Sequence, residues 1–475
     1  MIDKSPLLRN NEVTYETSLG YMLKLSAPMV VTTLSFTIMQ FVDRYMVSRL
    51  GTEALAAIWP AGLVSFIPGG FAMGSLTSLN TFVSQSLGRG EKKECSKYYW
   101  QAVYMGLLYF TAVVIIMWPA APWIFKVMGQ PQGVAVLEVK YFRIMLYAHF
   151  VAVINWSSNQ FFMGIHRPII TMCASLCGQV VNIIANYLLI FGKFGFPALG
   201  ISGAAWGTFI GITIVAVINM SVFLGPGINS IYQSRKSLKI DFNKMKSLLR
   251  VGLPAGVGLM LNVSLWGVIL SGLIGRFGEE ALAATSAVLS YTSLSVMPVV
   301  GISMALTAAV GKIIGQGKKE LAIKQTGLCI KISLIYMGFM GICFFIFRNS
   351  LMGFLSADDQ VINAGADILV CAAVYQVFHA ARIIYGGSLR GAGDTVWLAI
   401  ISAIGAVPIL GIGGYLIATF IPSLGAIGPW LAATLSVIVV GLANRWRFKS
   451  NKWKSIDLFK HRTPDVPIQT EPMAE

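Results

Sequence analysis

Asp43 sits within Met39-Gln40-Phe41-Val42-Asp43-Arg44-Tyr45, and apolar sequence continues through Met46 and Val47. A carboxylate inside an apolar stretch that long is costly enough to be a functional site by default. Low dielectric favours the neutral carboxyl, the condition for an acid that takes up and releases protons. An ion pair with Arg44 is the structural alternative, but neighbouring helical residues point about 100° apart and face each other poorly. Counted along the spans set out below, Asn182, Asn186, Thr208 and Tyr141 reach the same outer depth as Asp43. Asn182 and Asn186 are one helical turn apart and share a face. Pro28, early in the same span as Asp43, removes a backbone hydrogen bond and permits a hinge. Asn and Thr also serve as glue between spans, the plainer role for these side chains. In the second half of the chain the deep polar residues are Asn262, His379 and Arg382, the last two one turn apart, with no deep acid beside them. His149 reads as a core histidine and His166 as a residue of a connection.

The composition says what must position these groups. Of 475 residues, 56% are hydrophobic and only 12% charged, against about 25% charged in soluble domains; the mean hydropathy is +0.70. So few charges cannot wet the surface of an aqueous enzyme. A net charge of +16 raises the possibility of nucleic acid, but a nucleic-acid reader needs a basic face on a soluble body. The chain reads instead as an all-α polytopic membrane protein.

A span needs about 20 mostly apolar residues, with its backbone bonded internally. Twelve such stretches are predicted at 25–48, 57–86, 98–122, 137–163, 169–192, 201–225, 251–275, 282–311, 321–347, 361–387, 396–420 and 425–445. Sorting Lys and Arg by connection, with Lys324 and Arg445 counted to the first side and Arg44 to the second, puts 26 on the side of the two tails and 6 on the other. The positive-inside rule then places both termini in the cytoplasm. The polar segment before the first span has no cleavage site, so this is a span rather than a signal peptide. The six cysteines show no disulfide framework and no metal spacing.

The chain is also written twice. Leu50-Gly51-Thr52-Glu53-Ala54-Leu55-Ala56-Ala57 returns as Phe277-Gly278-Glu279-Glu280-Ala281-Leu282-Ala283-Ala284, and Leu87-Gly88-Arg89-Gly90 as Ile314-Gly315-Gln316-Gly317, both at an offset of 227. Gly164 maps to Gly391 at the same offset, and Pro197-Ala198-Leu199-Gly200 to Pro422-Ser423-Leu424-Gly425 at 225. The expected organisation is a tail (1–24), a lobe of six helices (25–226), a basic linker (227–250), a second lobe of six (251–446) and a C-terminal tail (447–475). An even number of spans per lobe gives a pseudo-two-fold axis along the membrane normal. Secondary transporters of this build bind cargo between lobes and rock them. No Gly-x4-Gly-Lys-Ser/Thr phosphate cradle is present, so the energy is expected from an ion gradient.

With these residues in view, the sequence resembles the multidrug and toxic compound extrusion (MATE) family over about residues 20–446. The resemblance is carried by Phe41-Val42-Asp43 with Leu50-Gly51, by Gln85-Ser86-Leu87-Gly88, by Pro197 through Ala205, and by Leu389-Arg390-Gly391-Ala392-Gly393-Asp394-Thr395. It implies a V-shaped cleft between two six-helix lobes and export of small organic molecules against inward flow of H+ or Na+, without a cofactor. It also implies a cation-coupling site at Asp43, Asn182, Asn186 and Thr208, the residues Na+ would use, with Tyr141 beside it and Pro28 as the bend. The family often carries Asp where this chain has Asn186, Glu where it has Asn262, and a membrane-embedded Asp where it has His379. Asp43 is then the sole deep carboxylate, which favours H+ over a Na+ site needing several oxygens. The same departures favour an anionic or zwitterionic cargo at Asn262, His379 and Arg382 over an organic cation. The expected partners are a small-molecule substrate and the lipid bilayer, with no nucleic acid. The expected protein is a monomer, multi-pass in the inner (plasma) membrane. A lipid or oligosaccharide-lipid flippase of the same superfamily is the alternative, disfavoured by twelve spans rather than fourteen. A membrane acyl or glycosyl transferase is disfavoured by the lack of a clustered acid/base or metal constellation.

Overall fold

The computed structural model describes residues 18–129 and 131–459, so most of the expected N-terminal tail and residues 460–475 lie outside it. Among the described residues there is no strand. Twelve long helices run as α1 (Leu19–Ser48), α2 (Thr52–Gly88), α3 (Lys92–Val127), α4 (Gln132–Gly164), α5 (Pro168–Phe191), α6 (Ile201–Leu224), α7 (Phe242–Ile274), α8 (Glu279–Gly315), α9 (Lys319–Ile346), α10 (Asp359–Ala392), α11 (Thr395–Phe420) and α12 (Ile427–Lys449). Eleven are both long and apolar enough to cross a membrane; α4 is the exception. At 33 residues it is as long as the others, but it carries Glu138, Lys140, Arg143 and the polar run Asn155-Trp156-Ser157-Ser158-Asn159-Gln160. Lys140 is exposed and Arg143 half-buried, but Glu138 and much of the polar run face inward. Ser157 and Ser158 are fully buried, Tyr99 and Ser158 hydroxyls meet at 2.9 Å, and Asn155 donates to the Ile212 carbonyl at 2.8 Å.

Several boundaries move from their sequence-based positions. Helix α1 starts six residues early because Ser18 caps it, its hydroxyl accepting from the Tyr21 amide at 3.2 Å. Part of the expected linker is helical, at Pro226–Tyr232 and again in the first turns of α7. Cys95, expected in a connection, is buried in the first turn of α3. Arg390, counted as part of a connection, lies inside α10. Around Pro408, which lacks an amide hydrogen, α11 widens to a π-helical stretch over Gly405–Gly413.

The repeat is built into the backbone. Gly51 and Gly278 open α2 and α8 at φ 113° and 103°, Gly90 and Gly317 turn the chain at 81° and 77°, and Gly200 and Gly425 at 57° and 52°. These are left-handed conformations that a Cβ disfavours, so the duplicated glycines mark duplicated turns.

The lobes, α1–α6 and α7–α12, touch mainly through α1, α2, α7 and α8, with smaller contacts from α3, α4 and α10. The contacts gather at the end of the bundle that holds Leu19, Gly88, Phe242 and Gly315. There the helices approach backbone to backbone: a Cβ on Gly256 would lie 2.6 Å from the Phe71 carbonyl, and one on Gly315 2.2 Å from that of Gln85. Thr33 donates to the Met297 carbonyl at 3.2 Å, Thr81 to that of Arg390 at 2.9 Å and Gln85 to that of Gly391 at 2.9 Å. His166 bridges Tyr21 of α1 and the Ala308 carbonyl of α8. The segment after α12 adds a strap. Trp453 packs on Phe448, Leu458 on Gly393, and Phe459 reaches Phe82 and Tyr98 of the first lobe. Among the described residues, no hydrogen bond joins the lobes in the opposite half of the membrane.

Candidate functional site

A ladder of glycines on α6 builds the polar site of the first lobe. Gly203, Gly207 and Gly211 recur every four residues and so line one face of that helix. A Cβ on Gly207 would lie 2.0 Å from Asn186 Oδ1, and one on Gly211 2.8 Å from both Asn182 Cβ and the Gly178 carbonyl. Small residues at such a spacing let membrane helices close on each other. Here they draw α6 onto the face of α5 that carries both asparagines.

Asp43 meets that face from α1. Asn186 Nδ2 donates to Asp43 Oδ1 at 2.7 Å and to Asn182 Oδ1 at 3.4 Å, and Asn182 Nδ2 donates to Thr208 Oγ1 at 3.4 Å. Thr208 passes its own hydrogen to the Ala204 carbonyl at 3.0 Å. Asn182 and Asn186 are buried, at 2% and 0% exposure. Asn186 Oδ1 is enclosed without a hydrogen-bond partner. Among the described residues Asp43 Oδ2 makes no hydrogen bond, so one carboxyl oxygen is fixed and the other is free to take a proton or face a cation.

Arg44 does not neutralise this acid. Its guanidinium lies over the Trp59 ring, 4.7 Å from the centroid, and no ion pair with Asp43 forms among the described residues. The structure thus brings Asp43, Asn182, Asn186 and Thr208 together. Tyr141 is buried nearby, within electrostatic reach of Asp43 and Arg44, but packs among apolar groups and makes no hydrogen bond to the acid. Pro28 is about 22 Å of helix away, buried in an unbroken α1 one turn before its contacts with α8.

The second lobe carries the opposite charge. His379 and Arg382 fall in one row on α10 with Tyr375, whose ring centroid is 4.5 Å from that of His379. Asn262 is half-buried on α7, and among the described residues no hydrogen bond joins it to either. Two groups escape a reading of the sequence. Arg390 joins the row from below, and its helical pattern was hidden by the Gly-rich signature around it. Glu138, expected at the periphery, is fully buried in α4 with neither carboxyl oxygen partnered, so Asp43 is not the only enclosed acid. No group of three or more His, Cys, Asp or Glu able to hold a metal exists among the described residues.

The MatE family model matches the chain twice, over residues 28–188 and 254–416. The chain belongs to the MatE family. Its two matched segments start 226 residues apart, which agrees with the repeats at 225 and 227. A Rhizobium meliloti (strain 1021) protein described as a probable multidrug resistance protein NorM is 28% identical over 462 residues, covering 94% of this chain and 96% of the relative. A Bacillus subtilis (strain 168) protein of the same description is 26% identical, covering 89% and 93%. Among solved structures, a MOP superfamily transporter from Pyrococcus furiosus, reported to have a binding pocket of reverse polarity, superposes with a TM-score of 0.84 at 21% identity, covering 94% of this chain and 99% of that one. A multidrug resistance MATE transporter in an outward-facing conformation gives 0.82 at 20% identity, covering 90% and 95%. The likeness to these structures establishes the shared two-lobe fold. This MatE protein is a multi-pass membrane transporter and not an enzyme.

Proposed function

We propose that this MatE protein exports small organic compounds in exchange for protons, with Asp43 as the coupling carboxylate. The observation that carries the reading is the Asn186 amide on Asp43 Oδ1 at 2.7 Å. It anchors a single acid among neutral amides and a hydroxyl, with no cation paired to it. A lone carboxylate in such surroundings changes charge by one proton. Na+ would need several oxygens at once, and among the described residues of this group Asp43 is the one charged ligand. The relatives described as multidrug resistance proteins support organic cargo.

The basic linker and tails favour a cytoplasmic placement of both termini in the inner membrane. With that orientation the joined end of the lobes is cytoplasmic, and the form described is outward-facing. Transport then requires the lobes to part at that end and close at the other, as in other two-lobe secondary transporters. Protonation of Asp43 removes the charge that Asn186 holds and biases one of the two states. The protein acts as a monomer, each chain holding its own cleft. Reconstituted protein in vesicles with an imposed pH gradient should move a fluorescent organic probe. A Na+ gradient alone should not. Transport driven by Na+ alone would reverse the assignment of the ion.

A further inference from the structure

The row Tyr375, His379, Arg382, Gly386, Arg390 runs down one face of α10 at helical spacing. Its surroundings are the interior of the second lobe. Gly441 of α12 lies against the Arg382 amide, a Cβ there being 3.5 Å from it, and Asn444 Nδ2 donates to the Arg382 carbonyl at 3.3 Å. Arg390 curls back toward Arg382: its Nη2 lies 3.7 Å from the position of a Cβ on Gly386, as does Asn444 Nδ2. Gly386 leaves the room this requires.

The charge of this row is not balanced. Among the described residues, the groups within electrostatic reach of Arg382 are Tyr375, His379 and Arg390. None is an acid. Neither arginine forms an ion pair among the described residues. Asp394, the nearest acid in sequence, is already held by Arg447 at 2.7 Å, and Asp367 is about 22 Å away along α10. Arginine stays protonated in any protein interior, so these two charges cannot be shed by titration. Next to them His379 Nδ1 is enclosed and without a partner, which leaves a ring nitrogen unused at the same place. Two neighbouring guanidiniums in a membrane interior repel each other unless an anion lies between or beside them.

We propose that this row is an oxyanion subsite, in which Arg382 and Arg390 hold the carboxylate or phosphate-type group of an organic substrate carried through the second lobe. The planar fork of each guanidinium suits two parallel hydrogen bonds to such a group. Tyr375 and His379 flank it with a hydroxyl and a ring N–H. The apolar remainder of the substrate extends toward the cleft. This deepens the reading of the chain as an exporter of organic compounds by fixing the charge of its cargo, and it does not depend on which ion drives export.

The test is binding to the detergent-solubilised full chain, read by fluorescence anisotropy with two dyes of one ring system: anionic fluorescein and cationic rhodamine 123. The wild type is expected to bind fluorescein at least about tenfold more tightly, the scale of a charge-assisted hydrogen bond. Arg382→Gln should lose at least about tenfold in fluorescein affinity with no loss for rhodamine 123, and Arg382→Lys should fall between, since it keeps the charge without the fork. Benzoate and inorganic phosphate serve as competitors. Displacement by benzoate identifies a carboxylate subsite and displacement by phosphate a phosphate subsite, and either supports the proposal. A wild-type preference for rhodamine 123, no displacement by either anion, or equal fluorescein affinity in Arg382→Gln would overturn it. If Arg382→Gln does not fold, the wild-type preference and the competition decide the matter. No gradient is present, so a failure here is separable from a failure of proton coupling.

Discussion

Gly88→Ala is expected to loosen the joined end of the two lobes. A methyl at Gly88 would stand 2.1 Å from the Lys312 carbonyl oxygen and 3.0 Å from Gly315 Cα, where ordinary contact begins at 3.4 Å. Both obstacles are backbone, so no rotamer change relieves them, and α2 and α8 must part by more than about 1 Å. Overpacking of this kind costs about 1–3 kcal/mol. If the cost falls only on the state in which this end is closed, the equilibrium between states shifts by about 5- to 150-fold. The assay is the labelling rate of a single cysteine, Ser78→Cys in a cysteine-free background, by a membrane-impermeant thiol reagent. Ser78 is 3% exposed and donates across the lobe boundary to the Leu248 carbonyl at 3.3 Å, so it reacts only when the lobes part. Gly62→Ala on the same helix is the control, because a Cβ there meets nothing within 4 Å. Gly88→Ala should label faster and Gly62→Ala at the wild-type rate. Equal rates in all three would refute the reasoning.

Three further outcomes follow from the same contacts. Arg447 holds Asp394 through Nε at 2.7 Å and Nη2 at 3.4 Å, so Arg447→Ala, which strands a nearly buried acid, should cost about 3 kcal/mol in unfolding measurements. Arg447→Ala combined with Asp394→Asn should recover part of that loss. Phe459 lies edge-on to Phe82 at 5.9 Å and under the Arg89 guanidinium at 4.0 Å, so Phe459→Ala should release the strap and raise Ser78→Cys labelling as Gly88→Ala does. Asp241, outside the spans at the start of α7, is pulled two ways: burial raises its proton affinity, but hydrogen bonds from Lys244 and the attraction of its ammonium lower it below the usual 3.8. A depressed carboxyl stabilises the fold above its unfolded value and loses that contribution as the pH falls through its folded value. Asp241→Asn should therefore melt earlier than wild type at pH 7, with the difference closing as the pH drops below 3.8.

The first-lobe site was legible because its residues obey one-dimensional rules. Asn182 and Asn186 share a face by spacing alone, and the depth of Asp43 follows from counting along an apolar span. The glycine ladder on α6 was equally visible, but its purpose was not, since only the packed pair shows which neighbour needs the space. Arg390 was misread for a related reason: glycines around it resemble a turn, whereas α10 continues to Ala392 because close approach of α8 and α2 stabilises those turns. Glu138 shows the opposite limit. Its distance from the end of α4 places it at a periphery, and only the surrounding helices bury it. The whole of α4 teaches the same point, because a span whose polar face is covered by protein need not be apolar in sequence.

Asp43→Asn carries the central claim. It keeps the size of the side chain and removes the titratable proton. In proteoliposomes with an imposed pH gradient, the variant should insert and fold but fail to accumulate the organic probe against its gradient, while wild type accumulates it. Accumulation by Asp43→Asn equal to wild type would contradict a coupling role for this carboxylate.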